Sequence, residues 1–163
     1  MTEITLRNGS QDFDFLIGTW QVHHRRLRER LVGCTDWEEF EGICTNDNIM
    51  GRTANFDESK MERDGGVGHG MTLRLYDHNS HEWSLYWAAT GSASFDVPMI
   101  GSFEEKNGIG YFYAQETHKG QHVYSRFIWS RISDNFCQWE QALSIDGGKT
   151  WETNWIMENT RIN

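Results

Sequence analysis

The chain has 163 residues, a net charge of -9, 37% hydrophobic residues and 24% charged residues. That composition excludes a disordered chain. The length fits one domain, residues 1–163, which needs no metal or disulfide staple to fold, and the acidic balance argues against a nucleic-acid backbone or an anionic membrane surface as partner.

Eight Trp, nine Phe, five Tyr and sixteen Gly beside a single Pro favour strands joined by tight turns. Residues 8–17 carry Phe13, Phe15, Leu16 and Ile17 among polar neighbours, a short helical plug before the first strand. Residues 18–31 form a first strand, with Trp20, Val22, His24 and Arg26 on one face; helix competes for 25–31, where good helix formers cluster. Residues 37–45 are a second strand, and 46–57 read as irregular around Gly51. Residues 70–76 and 82–89 alternate apolar and polar around a polar turn at 77–80, the pattern of a hairpin. Residues 98–104 pair with 108–116, 122–130 follows through a turn at 118–121, and 136–144 with 150–159 closes the series. About eight to ten short antiparallel strands result, the spacing of an all-β sandwich or up-and-down barrel.

No apolar run approaches the roughly 20 residues that span a bilayer. The first eleven residues lack a basic stretch followed by an apolar one, so no secretory signal is expected. Cys34, Cys44 and Cys137 are odd in number and far apart, with no C-x-x-C. Reduced thiols in a cytoplasmic protein follow, with neither a disulfide framework nor a zinc site.

Ser144, Asp146, Gly148, Thr150 and Trp151 fit S-x-D-x-G-x-T-W. This resembles the Asp-box turn between strands of sialidases and other β proteins. It marks a hairpin and does not imply a glycosidase. Gly18-Thr19-Trp20 at the head of the first strand, with Arg161 at the end of the last, resembles the calycin superfamily, whose lipocalins open with G-x-W. The resemblance implies that Trp20 closes the barrel base and that Arg161 packs across its indole. Residues 12–20, 22–27 and 37–42, and then 139–142 and 144–155, are similar to an uncharacterised bacterial family of lipocalin-like proteins. That resemblance implies a small β-barrel and brings no substrate.

Closure removes the unpaired edges of an antiparallel sheet and leaves an interior wide enough for packed side chains or one small ligand. With Trp20 inward, alternation sends His24 and Arg26 to the same wall. Arg161 brings Asn159, Met157, Trp155, Thr153 and Trp151 with it; Trp139 and Gln141 face in from the preceding strand; Trp83, Leu85 and Trp87 form another wall; and Tyr111, Tyr113 and Gln115 face in from 108–116. The candidate ligand-binding residues are therefore Trp20, His24, Arg26, Trp87, Tyr111, Tyr113, Trp139, Gln141, Trp155 and Asn159. An aromatic box with a few polar groups suits a small hydrophobic or aromatic molecule. A buried Arg26 needs an acidic partner, solvent or an anionic ligand.

His78-x-x-His81 and His118-x-x-x-His122 fall in turns and lack paired acids or Cys at ligand spacing, so no metal is expected. Some calycin barrels hold haem through one His, and His24 is the inward candidate; a hydrogen-bonded wall histidine is preferred, with no cofactor. A second reading is a cofactor-independent cyclase, isomerase or dehydratase, with His24 as acid or base, Tyr113 as proton donor and Arg26 holding a carboxylate or enolate. A third is a filled barrel that works through its surface as an interaction protein or homodimer. The cluster Arg25, Arg26, Arg28 and Arg30 is read as cross-strand pairing with Glu38, Glu39 and Glu41.

Overall fold

The computed structural model describes residues 5–163; Met1–Ile4, where the reading of the leader begins, lie outside the described residues. Ten strands run in chain order: β1 Gly18–Leu27, β2 Trp37–Ile49, β3 Ala54–Arg63, β4 Gly66–Asp77, β5 Glu82–Ala89, β6 Met99–Phe103, β7 Gly110–His118, β8 Gln121–Ser130, β9 Phe136–Ser144 and β10 Glu152–Arg161. Each pairs antiparallel with its sequence neighbour, and β1 also pairs with β10, which closes the barrel. Trp20 stands opposite Arg161 across that seam, and opposite Cys44 on the other side. Closure leaves no edge to aggregate, which is why ten short strands persist with one turn of 3-10 helix (Asp14–Leu16) as a plug.

Three expectations differ from the structure. The first strand ends at Leu27, and 28–36 is a loop closed by the Arg28 amide donating to the Asp36 carbonyl at 3.0 Å; the helical alternative for 25–31 does not form. The stretch 46–57 is not irregular: β2 continues to Ile49, a tight turn at Met50–Arg52 follows, and β3 begins at Ala54. β4 starts at Gly66, four residues before the expected Gly70. The missed strand, β3, turns Asn55, Asp57 and Ser59 inward. Both its faces are polar, so no apolar alternation marks it.

The two ends of the barrel differ. At the closed end Phe13, Leu16 and Trp20 are buried with Trp83, Phe103 and Phe112. The Trp20 indole donates to the Leu16 carbonyl at 2.8 Å, and the Arg161 guanidinium lies 4.2 Å over its ring. Arg161 also donates to the carbonyls of Ile17 and Asp134, both at 2.6 Å, and of Phe15. One cation thus satisfies three carbonyls, two from the plug and its exit and one from the turn between β8 and β9. Gly18 has φ +125°, and a Cβ there would lie 2.5 Å from Arg161 Nη1. The glycine of G-x-W is therefore fixed by the clamp itself.

The open end is rimmed by 28–36, 64–65, 90–98, 119–120 and 145–151. In the last of these Asp146 Oδ1 accepts from the amides of Lys149 and Thr150 at 3.1 and 2.9 Å and from the Ser144 hydroxyl at 2.8 Å, and Oδ2 accepts from the Thr150 hydroxyl at 2.6 Å. These bonds, the Thr150 hydroxyl foremost, hold the Asp146 carboxyl well below the usual carboxylate range.

Candidate functional site

Above the plugged base the barrel encloses a cavity of about 210 Å³ that reaches the open end. One ordered water needs on the order of 10–15 Å³, so the interior is a chamber and not a packing defect. Trp20, Val22 and Leu16 form its floor with Trp129 and Leu85, and Trp87, Trp139, Trp155, Phe127 and Met157 form its apolar walls.

Trp155 organises the aromatic wall. Its ring meets Trp139 edge to face at 5.6 Å and Trp87 at 6.4 Å. Its indole Nε1 donates to His24 Nδ1 at 3.1 Å, and the Arg26 guanidinium lies 5.0 Å over its ring. Trp87 lies flat on Gly70: a Cβ there would fall 2.1 Å from the indole, so only glycine admits the ring.

His24 is 2% exposed and stacks on Phe40 at 4.5 Å. Nδ1 accepts from Trp155, so Nε2 carries the proton of the neutral ring. Nε2 is 3.1 Å from where a Cβ on Gly42 would sit, which turns that edge of the ring toward the β2 backbone. Burial pushes the His24 pKa down to about 4. The folded value lies below the unfolded one, so acid favours the unfolded chain, and stability falls as pH drops below 6.5. The loss reaches about 3 kcal/mol once pH is below both values. The Glu38 and Glu41 carboxyls are held low by Arg63 and His23 and add their own losses only below about 4.5. His23, raised by its bond to Glu41, acts with the opposite sign above 6.5. Urea unfolding between pH 6.5 and 4.5 should therefore show a falling stability that His24→Gln flattens; an unchanged slope in the variant would remove His24 as its source.

A polar cluster on the β2–β4 side was not expected from the sequence. Arg74 is 3% exposed and pairs with the equally buried Asp57. Its Nη1 donates to Asn55 at 3.0 Å and to Asn46 at 3.3 Å, and its guanidinium faces the Phe13 ring at 5.2 Å. Cys44 and Ser59 stand beside it, the Ser59 hydroxyl donating to Cys44 Sγ at 3.3 Å. Burial raises the Cys44 thiol to about 12, so it is a small wall residue and not a nucleophile. The one available signal was the polar alternation of Asn55, Asp57 and Ser59, which a search for apolar periodicity passes over.

Of the sequence candidates, Trp20, His24, Arg26, Trp87, Trp139, Gln141, Trp155 and Asn159 are brought together around the cavity. Tyr111 and Tyr113 are not. β7 buries Gly110 and Phe112 and leaves Tyr113 47% exposed, with Tyr111 on the same outer face. The expected parity of β7 is therefore reversed, and Gln115 goes outward with it. Phe112, fully buried opposite Gly101, fixes that choice. Tyr113 cannot donate a proton to a molecule inside the barrel, which takes from the enzymatic reading one of its three groups. A bulge between Thr153 and Trp155 likewise shifts parity in β10. Asn154 is buried there and accepts from Gln141 Nε2 at 2.8 Å, while Trp151 packs outside against Tyr113 and Arg126. The basic cluster pairs in part as expected, but with different acids: Arg25 meets Glu158 and Arg28 meets Asp36, whereas Glu39 and Glu41 hold His23.

Among the described residues no three His, Cys, Asp or Glu gather as a metal site, and no helix is long and apolar enough to cross a membrane. No family model matches this chain, and no curated protein matches it. Among solved structures it is similar to the S-type phycobiliprotein lyase CPES from Guillardia theta, with a TM-score of 0.61 at 9% identity over 96% of this chain and 94% of that one. At that identity the likeness carries the fold alone: a closed antiparallel barrel of the lipocalin-like calycin type.

Proposed function

We propose that the barrel binds one small, largely apolar or aromatic molecule in its chamber. The observation that carries this is a cavity of about 210 Å³ walled by indoles, two of whose lining residues bury a polar atom without a protein partner: the Ser125 hydroxyl and the Trp129 Nε1. A buried donor left unpaired costs about 1–3 kcal/mol, a cost that a guest with one or two acceptor atoms would relieve while its body replaces water against the rings. The similar barrel from Guillardia theta is a phycobiliprotein lyase, which supports a chemical role for such an interior. The reading extends to a cytoplasmic setting, supported by three unpaired cysteines, to an Asp-box at the last hairpin, supported by the bonds of Asp146, and to kinship with uncharacterised bacterial lipocalin-like proteins, supported by the motif strings.

The test is titration with a neutral hydrophobic fluorophore, phenylnaphthylamine, while tryptophan emission is followed. Saturable quenching is expected from the wild type, with Trp155 and Trp87 in reach of the guest. Ser125→Phe, which fills the chamber from β8, should abolish it while the circular dichroism of the barrel is retained. Quenching that never saturates, or that survives the filled chamber, would remove the guest from the interior.

A further inference from the structure

Two arginines at the open end are left without a carboxylate. Arg26 on β1 and Arg30 just beyond it both line the chamber. Their neighbours are already engaged: Arg25 with Glu158 at 3.9 Å, Arg28 with Asp36 at 3.1 Å and Arg63 with Glu38 at 2.6 Å. Among the described residues no ion pair reaches Arg26 or Arg30, and Arg26 Nε is buried with no hydrogen-bond partner. The nearby acids Glu38, Glu116 and Glu152 act on these arginines through space without contacting them. Glu38 is held by Arg63, and Glu152 accepts the Leu31 amide at 2.8 Å, which pins the loop that carries Arg30. Glu116 and Asp96 line the same chamber but make no ion pair with either arginine. Burial, and then the charge of Arg26, lowers Arg30 to about 10. Two half-buried like charges at the mouth of an apolar chamber repel each other, and an anion between them relieves that repulsion.

Resting on the ligand-binding reading above, we infer that the guest is an amphipathic monoanion, its apolar or aromatic body among the indoles and its acidic headgroup between Arg26 and Arg30. The guanidinium fork fits a carboxylate or sulfonate through paired N–H donors. The stacking of Arg26 on Trp155 holds one fork at the edge of the aromatic wall, so headgroup and body are read by one connected surface.

Two ring-matched probes separate charge from burial: anilinonaphthalene sulfonate, an anion, and phenylnaphthylamine, which is neutral. The wild type should bind the sulfonate about tenfold or more tightly than the amine, the scale of a charge-assisted hydrogen bond. Arg26→Gln and Arg30→Gln should each weaken the sulfonate by about tenfold and lower the preference for sulfonate over amine by about as much. Arg26→Lys, which keeps the charge, should hold the sulfonate within about threefold. Equal affinities for the two probes, or glutamine variants that weaken both alike, would overturn the anion site while the cavity reading stands. Saturable binding of neither probe would overturn both.

Discussion

Arg74→Met should lower the stability of the folded chain by about 3–5 kcal/mol, read as a shifted midpoint in urea. The substitution keeps most of the side-chain volume and removes the cation. Asp57, 3% exposed, then stays buried with only the Thr72 amide, at 3.2 Å, as a donor. Asn46 and Asn55 lose their shared donor as well. The penalty belongs to the stranded carboxylate and not to the pair, because taking both charges from water is itself expensive. Arg74→Met combined with Asp57→Leu should therefore recover most of the loss. A single variant within about 1 kcal/mol of wild type would mean that the carboxylate finds water.

Trp20→Ala should cost about 3–5 kcal/mol by the same measurement. The indole is fully buried between plug and barrel, and its removal takes away the surface on which Arg161 lies and the donor to the Leu16 carbonyl. Trp20→Phe separates the two contributions. It keeps an aromatic face under the guanidinium and loses the Nε1–H, so about 1–3 kcal/mol is expected from the unpaired carbonyl. An alanine variant no worse than the phenylalanine variant would show that the ring contributes little beyond its hydrogen bond.

Much of the architecture was legible in the sequence. Alternation in 82–89 marks β5 because the apolar residues of a half-buried strand recur every second position, and the same period marks β4, although there Met71, Leu73 and Leu75 take the outer face. The G-x-W and the late arginine were legible as a pair because their chemistry is specific: a glycine with no room for a Cβ, a large ring, and a cation to cover it. Most of the candidate site followed from the same parity, since Trp20, Val22, His24 and Arg26 occupy every second position of a strand free of bulges. β3 escaped because it places a carboxamide, a carboxylate and a hydroxyl inside the barrel, where a sequence reader looks for hydrocarbon. Arg74 escaped for the same reason: flanked by Leu73 and Leu75, it reads as the outward residue of its strand, yet it is the buried one.

The residue order alone thus settled that the chain alternates and turns, because a two-residue period and tight turns are local properties of the chain, whereas closure joins β1 to β10 from opposite ends of it. Which face of a strand meets the interior was settled by distant partners. Phe112 against Gly101 sent Tyr111 and Tyr113 outward, and the irregular step between Thr153 and Trp155 turned Trp151 away from the chamber. Charge followed the same rule: Glu38 and Glu152, which the fold brings near Arg26 and Arg30, are held by Arg63 and the Leu31 amide, and only the assembled barrel reveals which cations remain for a guest.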